Sequence, residues 1–301
     1  MAKTPVSTID LNFQGFHNAI AAYLIKHDRG AVLVESGPGS TLPTLEKAIN
    51  GHGLQLGDIT HVLLTHIHLD HAGASGKLAQ NGAIVCVHPA GAPHMINPEK
   101  LLASASRIYG DQMNSLWGEF LPVPEEKIWL VGHEEELDIH GLKFRALHTP
   151  GHAEHHICYL FEDICFSGDV GGVRIPGYPY LRVPMPPPEL NFEKWYGTLL
   201  MLRGTGMKRI APTHFGVFED PDWHISQVES SLKATENWME TVMPEDPPIE
   251  VLREKFANWI ETESSKLELD AQVKKDYDLA NPLGMSADGL QRYWRKNRLA
   301  T

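Results

Sequence analysis

Short apolar runs separated by glycine and polar residues dominate the chain between residues 16 and 169. Each run is six or seven residues long and rich in valine, isoleucine, leucine or phenylalanine, which is typical of β-strands. Two of the connections, at 27–30 and 162–164, are short enough to be tight hairpin turns. The predicted strands are 19–25, 31–36, 61–66, 83–88, 143–149, 156–162 and 163–169.

Helical periodicity occurs between these strands and continues after them. Apolar residues recur at helical spacing in 41–53, and we predict further helices in 71–82 and 97–120. Strands mixed with helices over about 215 residues predict an α/β sandwich, which we place in residues 1–221. Residues 222–301 contain no strand-like run, so we predict a helical C-terminal region that serves as a lid or as a dimerisation element in a homodimer.

A proline-rich segment interrupts these patterns. Residues 174–190 contain six prolines and cannot form regular structure. The segment directly follows a predicted strand, so we expect a rigid loop beside a functional site, with a plain surface connection as the alternative. Two of its side chains, Tyr178 and Tyr180, are candidates to donate a hydrogen bond to a substrate carbonyl, or else they pack within the loop.

Four metal-binding side chains occur within six positions at the end of the run 61–66: His66, His68, Asp70 and His71. A histidine-rich polar loop is the simplest interpretation. Imidazole nitrogens and carboxylates, however, suit zinc and similar divalent ions. Four ligands so close in sequence cannot all bind one ion in tetrahedral geometry without strain, so the spacing favours two ions that share the loop.

Three more candidate ligands follow other apolar runs. His152 lies in a glycine-bounded turn after 143–149, and Asp169 ends the run 163–169. His214 follows a third apolar stretch and a proline. Because α/β enzymes place their chemistry where strands end, we expect these side chains to join the first four in one site.

Composition and charge narrow the classes of partner. The formal net charge of −12 argues against nucleic-acid binding, which needs a basic face. Three cysteines, each inside an apolar run, predict buried thiols rather than a disulfide framework. The N-terminus has no apolar signal segment, and no run approaches the roughly 18 to 20 residues that span a membrane. We therefore expect a cytoplasmic protein that acts on a small molecule and has no membrane partner.

Four motifs together resemble the metallo-β-lactamase-fold superfamily of metallohydrolases: THIHLDHAG, TPGHAEHHICY, FSGD and PTHFG. The resemblance extends over residues 10–220 and implies an αββα sandwich. It also implies two divalent metal ions at the sheet edges, zinc in the first instance, with iron or manganese as alternatives. The implied ligands are His66, His68 and His152 for one metal and Asp70, His71 and His214 for the other, with Asp169 bridging both.

The same resemblance points to residues around the metals. Asp58, in the lead-in GDITHVLLTH, is a candidate to orient a ligand histidine. A cap at the end of a helix or strand is the alternative role for Asp58. Glu35, in LVESGPG, stands where the superfamily usually has an aspartate, and the resemblance does not make it a ligand.

Candidate substrate contacts lie beside the ligands and in the helical insertion. His155 follows the turn that carries His152, where the superfamily commonly has smaller residues. The insertion 97–120 is expected to wall an apolar substrate pocket, with Trp117 as its main candidate. Its other large side chains are Tyr109, Met113 and Phe120.

The expected chemistry is hydrolysis. Two such metals would hold one bridging hydroxide at neutral pH, which attacks an acyl carbon or a phosphorus centre. Asp70 is then placed to carry a proton to the leaving group, and Asp169 shares in the catalysis. Hydrolysis of a carboxylic thioester, ester or lactone is favoured, because the motifs look most like the glyoxalase II-like branch.

Other functions stay open for this scaffold. A phosphodiesterase and a β-lactamase-type hydrolase would use the same two metals. A mononuclear iron persulfide dioxygenase would leave the second site idle, and the complete second ligand set argues against it. A metal-binding regulatory protein without turnover is the remaining alternative.

Overall fold

Two β-sheets packed face to face form the centre of the computed structural model, which describes residues 3–267 and 269–299. The first sheet contains, in spatial order, β1 (Val6–Asp10), β2 (Ala21–His27), β3 (Gly30–Val34), β4 (Ile59–Leu63), β5 (Ile84–Val87) and β6 (Ile128–Leu130). The pairs β1–β2 and β2–β3 are antiparallel, whereas β3 to β6 run parallel. The carboxyl ends of the parallel strands therefore meet at one edge.

The second sheet contains β7 (Glu136–Ile139), β8 (Leu142–His148), β9 (Ile157–Phe161), β10 (Ile164–Phe166) and β11 (Arg209–Ala211). Its spatial order is β11–β10–β9–β8–β7. All neighbours are antiparallel except β10 and β11, which run parallel. This places the segments that follow β10 and β11 side by side.

Alternation of buried and exposed side chains fills the space between the sheets. In β8, Leu142, Phe144 and Ala146 are buried, whereas Lys143 and Arg145 are exposed. The buried side chains join residues of the first sheet in one hydrophobic cluster. The strand pattern of the sequence thus corresponds to the interior of a sandwich.

Helices cover the outer face of the first sheet. They are α1 (Leu42–Gly51), α2 (Leu69–Ala72), α3 (Ser75–Gln80), α4 (Ala92–Ile96), α5 (Glu99–Tyr109) and α6 (Met113–Trp117). The helix predicted at 71–82 begins earlier and divides into α2 and α3 near Gly73, where a Cβ atom would come within 2.7 Å of backbone atoms. The helix predicted at 97–120 is also divided, at Gly110, whose φ is +50°.

The outer face of the second sheet is covered by α7 (Phe192–Arg203) and by four C-terminal helices. These four are α8 (Pro221–Val242), α9 (Ile249–Ser265), α10 (Ala271–Ala280) and α11 (Leu283–Asn297). Side chains of the sheet and of α7, α8, α9 and α11 share one hydrophobic cluster. The order of layers is helix, sheet, sheet, helix, so the predicted αββα sandwich and its helical C-terminal region are confirmed.

Several features lie outside the predicted elements. The strands β1, β6, β7 and β11 and the helix α7 were not predicted from the sequence. The cysteines are free and buried, as expected. Within the described residues, no helix combines the length and apolarity needed to cross a membrane. The division at residue 221 stays a prediction, although α8 begins at that position.

Candidate metal centre

The seven predicted ligand residues meet at one edge of the sandwich. His66 and His68 lie in the loop after β4, and Asp70 and His71 lie in α2, which continues that loop. The other three belong to segments that follow strands of the second sheet: His152 after β8, Asp169 after β10 and His214 after β11. Both sheets therefore contribute to one site.

One group of donor atoms comprises His66, His68, His152 and Asp169, all within 4.8 Å of one another. His68 Nδ1 lies 2.9 Å from His66 Nε2 and 3.0 Å from His152 Nε2. Asp169 Oδ2 lies 3.3 Å from His152 Nε2. Three of the four side chains are buried, so these donors point into the protein rather than into solvent.

The second group comprises Asp70, His71 and His214. Asp70 Oδ2 lies 3.4 Å from His214 Nε2 and 3.5 Å from His71 Nε2. The other oxygen of Asp169, Oδ1, lies 3.3 Å from His71 Nε2 and 3.4 Å from His214 Nε2. Asp169 thus presents one carboxylate oxygen to each group.

Two candidate metal-binding atoms, His71 Nε2 and Asp169 Oδ1, are buried without a hydrogen-bond partner where the two groups meet. Buried polar atoms are normally satisfied, so an unpaired nitrogen and oxygen that face each other need a cause. A cation between them supplies it. Imidazole nitrogens with carboxylate oxygens are a donor set that zinc, iron and manganese all accept. The residues therefore fit divalent metal binding.

The electrostatics favour donors that carry lone pairs. Burial lowers the pKa of His66, His68 and His152, and neighbouring imidazoles act in the same direction for His66 and His68. Burial opposes ionisation of Asp70 and Asp169, but the nearby histidines, His71 first, hold the pKa of both carboxyl groups below its usual range. His66, His68 and His152 are therefore neutral imidazoles and both carboxyl groups are ionised, the forms that bind metals. Burial opposes protonation of His71 and His214 too, but the carboxylates of Asp70 and Asp169 outweigh it and raise the pKa of both imidazoles, so a bound cation would take the place of their protons.

Backbone carbonyls fix two of the imidazoles. His152 Nδ1 lies 2.9 Å from the carbonyl oxygen of Pro184, and His214 Nδ1 lies 2.6 Å from that of Ala19. Each Nδ1 must carry a proton to make this bond. The lone pair of Nε2 is therefore free to bind a cation. The proline-rich segment and the loop before β2 thereby orient the site.

Glu35 supports a third imidazole. It is 1% exposed, and Oε1 lies 3.2 Å from His71 Nδ1. The same oxygen accepts hydrogen bonds from the hydroxyls of Thr65 and Thr213. Glu35 is therefore not itself in either ligand group but orients His71, although the superfamily usually has an aspartate at this position.

Asp58 does not orient a ligand histidine. It is exposed and lies before β4, at the opposite end of that strand from His66. Its Oδ2 accepts the backbone N–H of Gln55 at 2.7 Å and caps a 3-10 turn over residues 56–58. The first interpretation is therefore wrong, and the capping alternative describes the side chain.

The metal centre borders a cavity of about 410 Å³. Its walls come from the loops around β1 and β2, from α5 and α6, from the proline-rich segment, and from the C-terminal helices. Most of the wall is apolar. Representative wall residues are Phe13, Ile20, Leu101, Ile108, Tyr109, Trp117, Met185, Leu279 and Met285, and the ligands that line the cavity are His68, Asp70, His152, Asp169 and His214.

Two of the four candidate substrate contacts line this cavity. Trp117 stacks on Phe13 with ring centroids 5.6 Å apart, and it meets Tyr109 edge to face at 5.0 Å. His155 is buried and its Nε2 lies 3.6 Å from Glu189 Oε2. Both side chains are therefore placed to touch a bound molecule. Met113 and Phe120 instead pack into the core beneath the insertion.

Tyr178 and Tyr180 do not line the cavity, so the prediction that they contact substrate is wrong. The Tyr178 hydroxyl donates to Asp270 Oδ2 at 3.2 Å, and the Tyr180 hydroxyl accepts from Arg182 Nε at 3.1 Å. Tyr180 also packs edge to face on Tyr277 of α10. The chain turns away from the metal centre directly after Asp169, which closeness in sequence does not reveal.

Residues 17–214 match the sequence profile of the metallo-beta-lactamase superfamily. The chain belongs to the metallo-beta-lactamase superfamily. Members of this superfamily are mostly metal-dependent hydrolases. The resemblance predicted from the four motifs is confirmed.

Curated relatives match more than half of the chain. A metallo-beta-lactamase fold-containing protein of Sulfurisphaera tokodaii is 26% identical over 61% of the chain and 68% of its own length. A hydroxyacylglutathione hydrolase of Xylella fastidiosa is 30% identical over 56% of the chain, which spans 49% of that relative. The match therefore covers about half the length of the second protein.

Solved structures of the superfamily share the fold over nearly the whole chain. An archaeal superfamily protein from Sulfolobus tokodaii superposes with a TM-score of 0.66 at 21% identity, covering 96% of this chain and 99% of that one. A metallo-beta-lactamase family protein from Thermus thermophilus gives 0.67 at 19% identity, over 97% and 94%. The likeness extends into the C-terminal helices.

Proposed function

We propose that the protein is a dinuclear metal-dependent hydrolase that cleaves a carboxylic thioester, ester or lactone with an apolar acyl group. Asp169 carries this proposal, since one of its oxygens faces each ligand group beside a mostly apolar cavity. When bound, the two ions would polarise the acyl oxygen and lower the pKa of a water molecule toward about 7.

The two aspartates have different surroundings and take different roles. The Asp169 side chain is 5% exposed and is held between His71, His152 and His214, so it serves to position donors. Both aspartates line the cavity, but the Asp70 side chain is 21% exposed and therefore more accessible. Asp70 is therefore the carboxylate that reaches a substrate, and it would hold the proton that passes to the leaving group.

The walls of the cavity favour a neutral, apolar acyl group. Among the described residues that line it, Lys100 is the only lysine or arginine. The relative named hydroxyacylglutathione hydrolase supports thioester hydrolysis. Glutathione carries two carboxylates, however, and Glu154 and Glu189 at the cavity would repel them. We therefore favour a substrate without an anionic leaving group.

The arrangement also supports two metals over one. An iron dioxygenase with a single metal needs only the donors around His68, whereas Asp70, His71 and His214 form a second complete group. The acidic net charge disfavours a nucleic-acid phosphodiester. Acyl hydrolysis is the reaction that uses both groups together with the apolar cavity.

Metal analysis together with a substrate panel tests the proposal. Purified protein should contain about two divalent metals per chain, and a chelator should abolish hydrolysis of an aryl ester, acyl thioester or acyl lactone. Asp169→Asn should lower the metal content and reduce turnover at least about 100-fold, whereas Asp28→Asn, in an exposed hairpin, should change neither. One iron per chain without hydrolysis would refute the proposal, and two metals without turnover would indicate a regulatory role.

A further inference from the structure

One tyrosine hydroxyl in the protein has an unusually weak partner. Tyr109, the last residue of α5, donates its hydroxyl proton to the sulfur of Met285 at 2.9 Å. A thioether sulfur is a weak acceptor. The hydroxyls of the other seven tyrosines contact oxygen atoms or, for Tyr180, a guanidinium nitrogen. Among the tyrosine hydroxyls that donate a hydrogen bond, Tyr109 therefore has the weakest acceptor.

The position of Tyr109 places that donor in the wall of the cavity that the metal centre borders. Of the eight tyrosines in the chain, it is the one found among the described residues that line the cavity, together with Asp70 and His214. Trp117 packs against its ring edge to face at 5.0 Å. The phenol is thus held by a neighbouring aromatic side chain, while its hydroxyl faces another cavity residue, Met285.

The hydroxyl keeps its proton at neutral pH. Burial raises the pKa of Tyr109, and the negative charge of Asp70 raises it further. A tyrosine in this state donates a hydrogen bond but does not act as a base.

Two other polar side chains of the wall, Asn281 and Ser286, are already committed to oxygen acceptors, whereas the indole Nε1 of Trp117 is buried without a hydrogen-bond partner. Asn281 Nδ2 donates to the carbonyl oxygen of Val183 at 3.2 Å, and Ser286 Oγ donates to Asn281 Oδ1 at 3.1 Å. Engaging Asn281 or Ser286 with a ligand would break a good hydrogen bond. Engaging Tyr109 would break only an O–H···S contact, so a substrate recruits it at a lower cost than Asn281 or Ser286.

We propose that Tyr109 is a catalytic hydrogen-bond donor, whose hydroxyl leaves Met285 and donates to the carbonyl oxygen of the scissile acyl group. This inference rests on the proposed function. Negative charge develops on that oxygen when water adds to the acyl carbon, and a fixed donor aimed at it lowers the barrier. The proton stays on Tyr109 throughout. Donation to a substrate carbonyl is the role that the sequence predicted for Tyr178 and Tyr180, which follow Asp169 along the chain.

Kinetics of Tyr109→Phe, with Tyr180→Phe as the matched control, test this role. For a series of aryl esters that share one acyl group, Tyr109→Phe should lower kcat about 100-fold and leave KM within about 2-fold. The factor should be the same for good and poor leaving groups, because the donor acts on the acyl oxygen. Tyr180→Phe, which removes a hydroxyl outside the cavity, should leave both constants unchanged.

A binding measurement gives a readout without turnover. Butylphosphonate resembles the tetrahedral species formed during hydrolysis, so metal-loaded Tyr109→Phe should bind it at least about 10-fold more weakly in calorimetry. An unchanged kcat, or an increase in KM alone, would show that Tyr109 only packs in the wall. A loss of kcat that shrinks with better leaving groups would assign the donor to the leaving group and overturn the proposal.

The two proposals can fail separately. If the wild type hydrolyses no acyl substrate but Tyr109→Phe still weakens phosphonate binding, the proposed function is wrong and the catalytic role of Tyr109 falls with it, while Tyr109 is shown to donate a hydrogen bond to a bound anion. If the wild type hydrolyses esters and Tyr109→Phe does so equally well, only the inference about Tyr109 fails. No phosphonate binding by the metal-loaded wild type would overturn the inference as well.

Discussion

Replacing Glu35 by glutamine tests how much the negative charge of Glu35 contributes to metal binding through His71. The carboxylate is 1% exposed, and its Oε1 accepts from Thr65, Thr213 and His71. Its Oε2 accepts the backbone N–H of Thr65 at 3.4 Å. A glutamine of the same shape keeps one acceptor oxygen but turns an NH₂ group toward the Thr65 N–H, and it removes the negative charge that holds the His71 proton.

The expected loss follows from these contacts. A hydrogen bond to a charged acceptor contributes about 1.5–3 kcal/mol, against about 1 kcal/mol for a neutral one. The lost Oε2 contact adds to this difference. A combined effect of roughly 1.5–2.5 kcal/mol corresponds to 10- to 100-fold weaker metal binding, which is the typical range for residues that orient a metal ligand. The group formed by Asp70, His71 and His214 should lose most of this affinity.

Stepwise metal titration against a chromophoric chelator measures the effect. Apo Glu35→Gln should bind one metal with nearly the wild-type constant and the second 10- to 100-fold more weakly, with a parallel loss of turnover. Glu46→Gln, on the exposed side of α1, is the control and should match the wild type. Two wild-type constants and full turnover in Glu35→Gln would refute the reasoning. An equal loss at both sites would indicate general loosening instead.

Two further predictions concern the C-terminal helices and α7. A Cβ atom on Gly289 would lie 1.9 Å from the carbonyl oxygen of Met185, so Gly289→Ala should lower the free energy of unfolding by about 1–3 kcal/mol in chemical denaturation. The control Gly197→Ala, in α7 with no atom within 4 Å of the added Cβ, should raise it by up to about 1 kcal/mol; shifts of the same sign would contradict the packing argument. Burial lowers the pKa of His224 from 6.5 to about 4 while its Nε2 donates to the Gly171 carbonyl oxygen at 2.7 Å. Because the folded pKa lies below the unfolded one, this contribution to stability is complete above pH 6.5 and is lost as the pH falls toward 4, by about 3 kcal/mol. His224→Gln should flatten that part of the stability curve, and parallel curves for both proteins would show that His224 does not cause the loss.

The metal ligands could be predicted because their signals are local. His66 to His71 occupy one short loop, and the other three ligands each follow a short apolar run. A strand end followed by a turn fixes where such a side chain must lie, whatever the rest of the chain does. The pairing of the donors into two groups needed the resemblance to the superfamily, because spacing alone does not say which loops face each other.

The walls of the cavity were predicted less well because they depend on long-range packing. Tyr178 lies nine positions after Asp169, yet the chain leaves the site and packs on α10. Tyr109 lies far from every ligand in sequence, and only its place in the insertion 97–120 predicted that it would wall a pocket. The contribution of Phe13 has no signal in the sequence, since an aromatic residue in a loop is equally consistent with core packing.

The missed elements share a physical cause. The strands β1, β6, β7 and β11 have three to five residues, too few to establish an alternation. In α7 the apolar residues surround the helix: Trp195 and Leu199 are buried, while Leu200 is 72% exposed. Without a polar face the helical period is hidden, so its assignment depends on the second sheet that it covers.

The C-terminal helices belong to the catalytic site in a direct way. Ser286 Oγ accepts the backbone N–H of Met185, and Gly289 of α11 lies against the carbonyl oxygen of the same residue. The neighbouring Pro184 carbonyl oxygen is the one that lies 2.9 Å from His152 Nδ1. A shift of α11 would therefore be transmitted through Met185 and Pro184 to His152, a predicted metal ligand. The same helices line the cavity at Leu279 and Met285, so the C-terminal region forms part of the wall of the cavity.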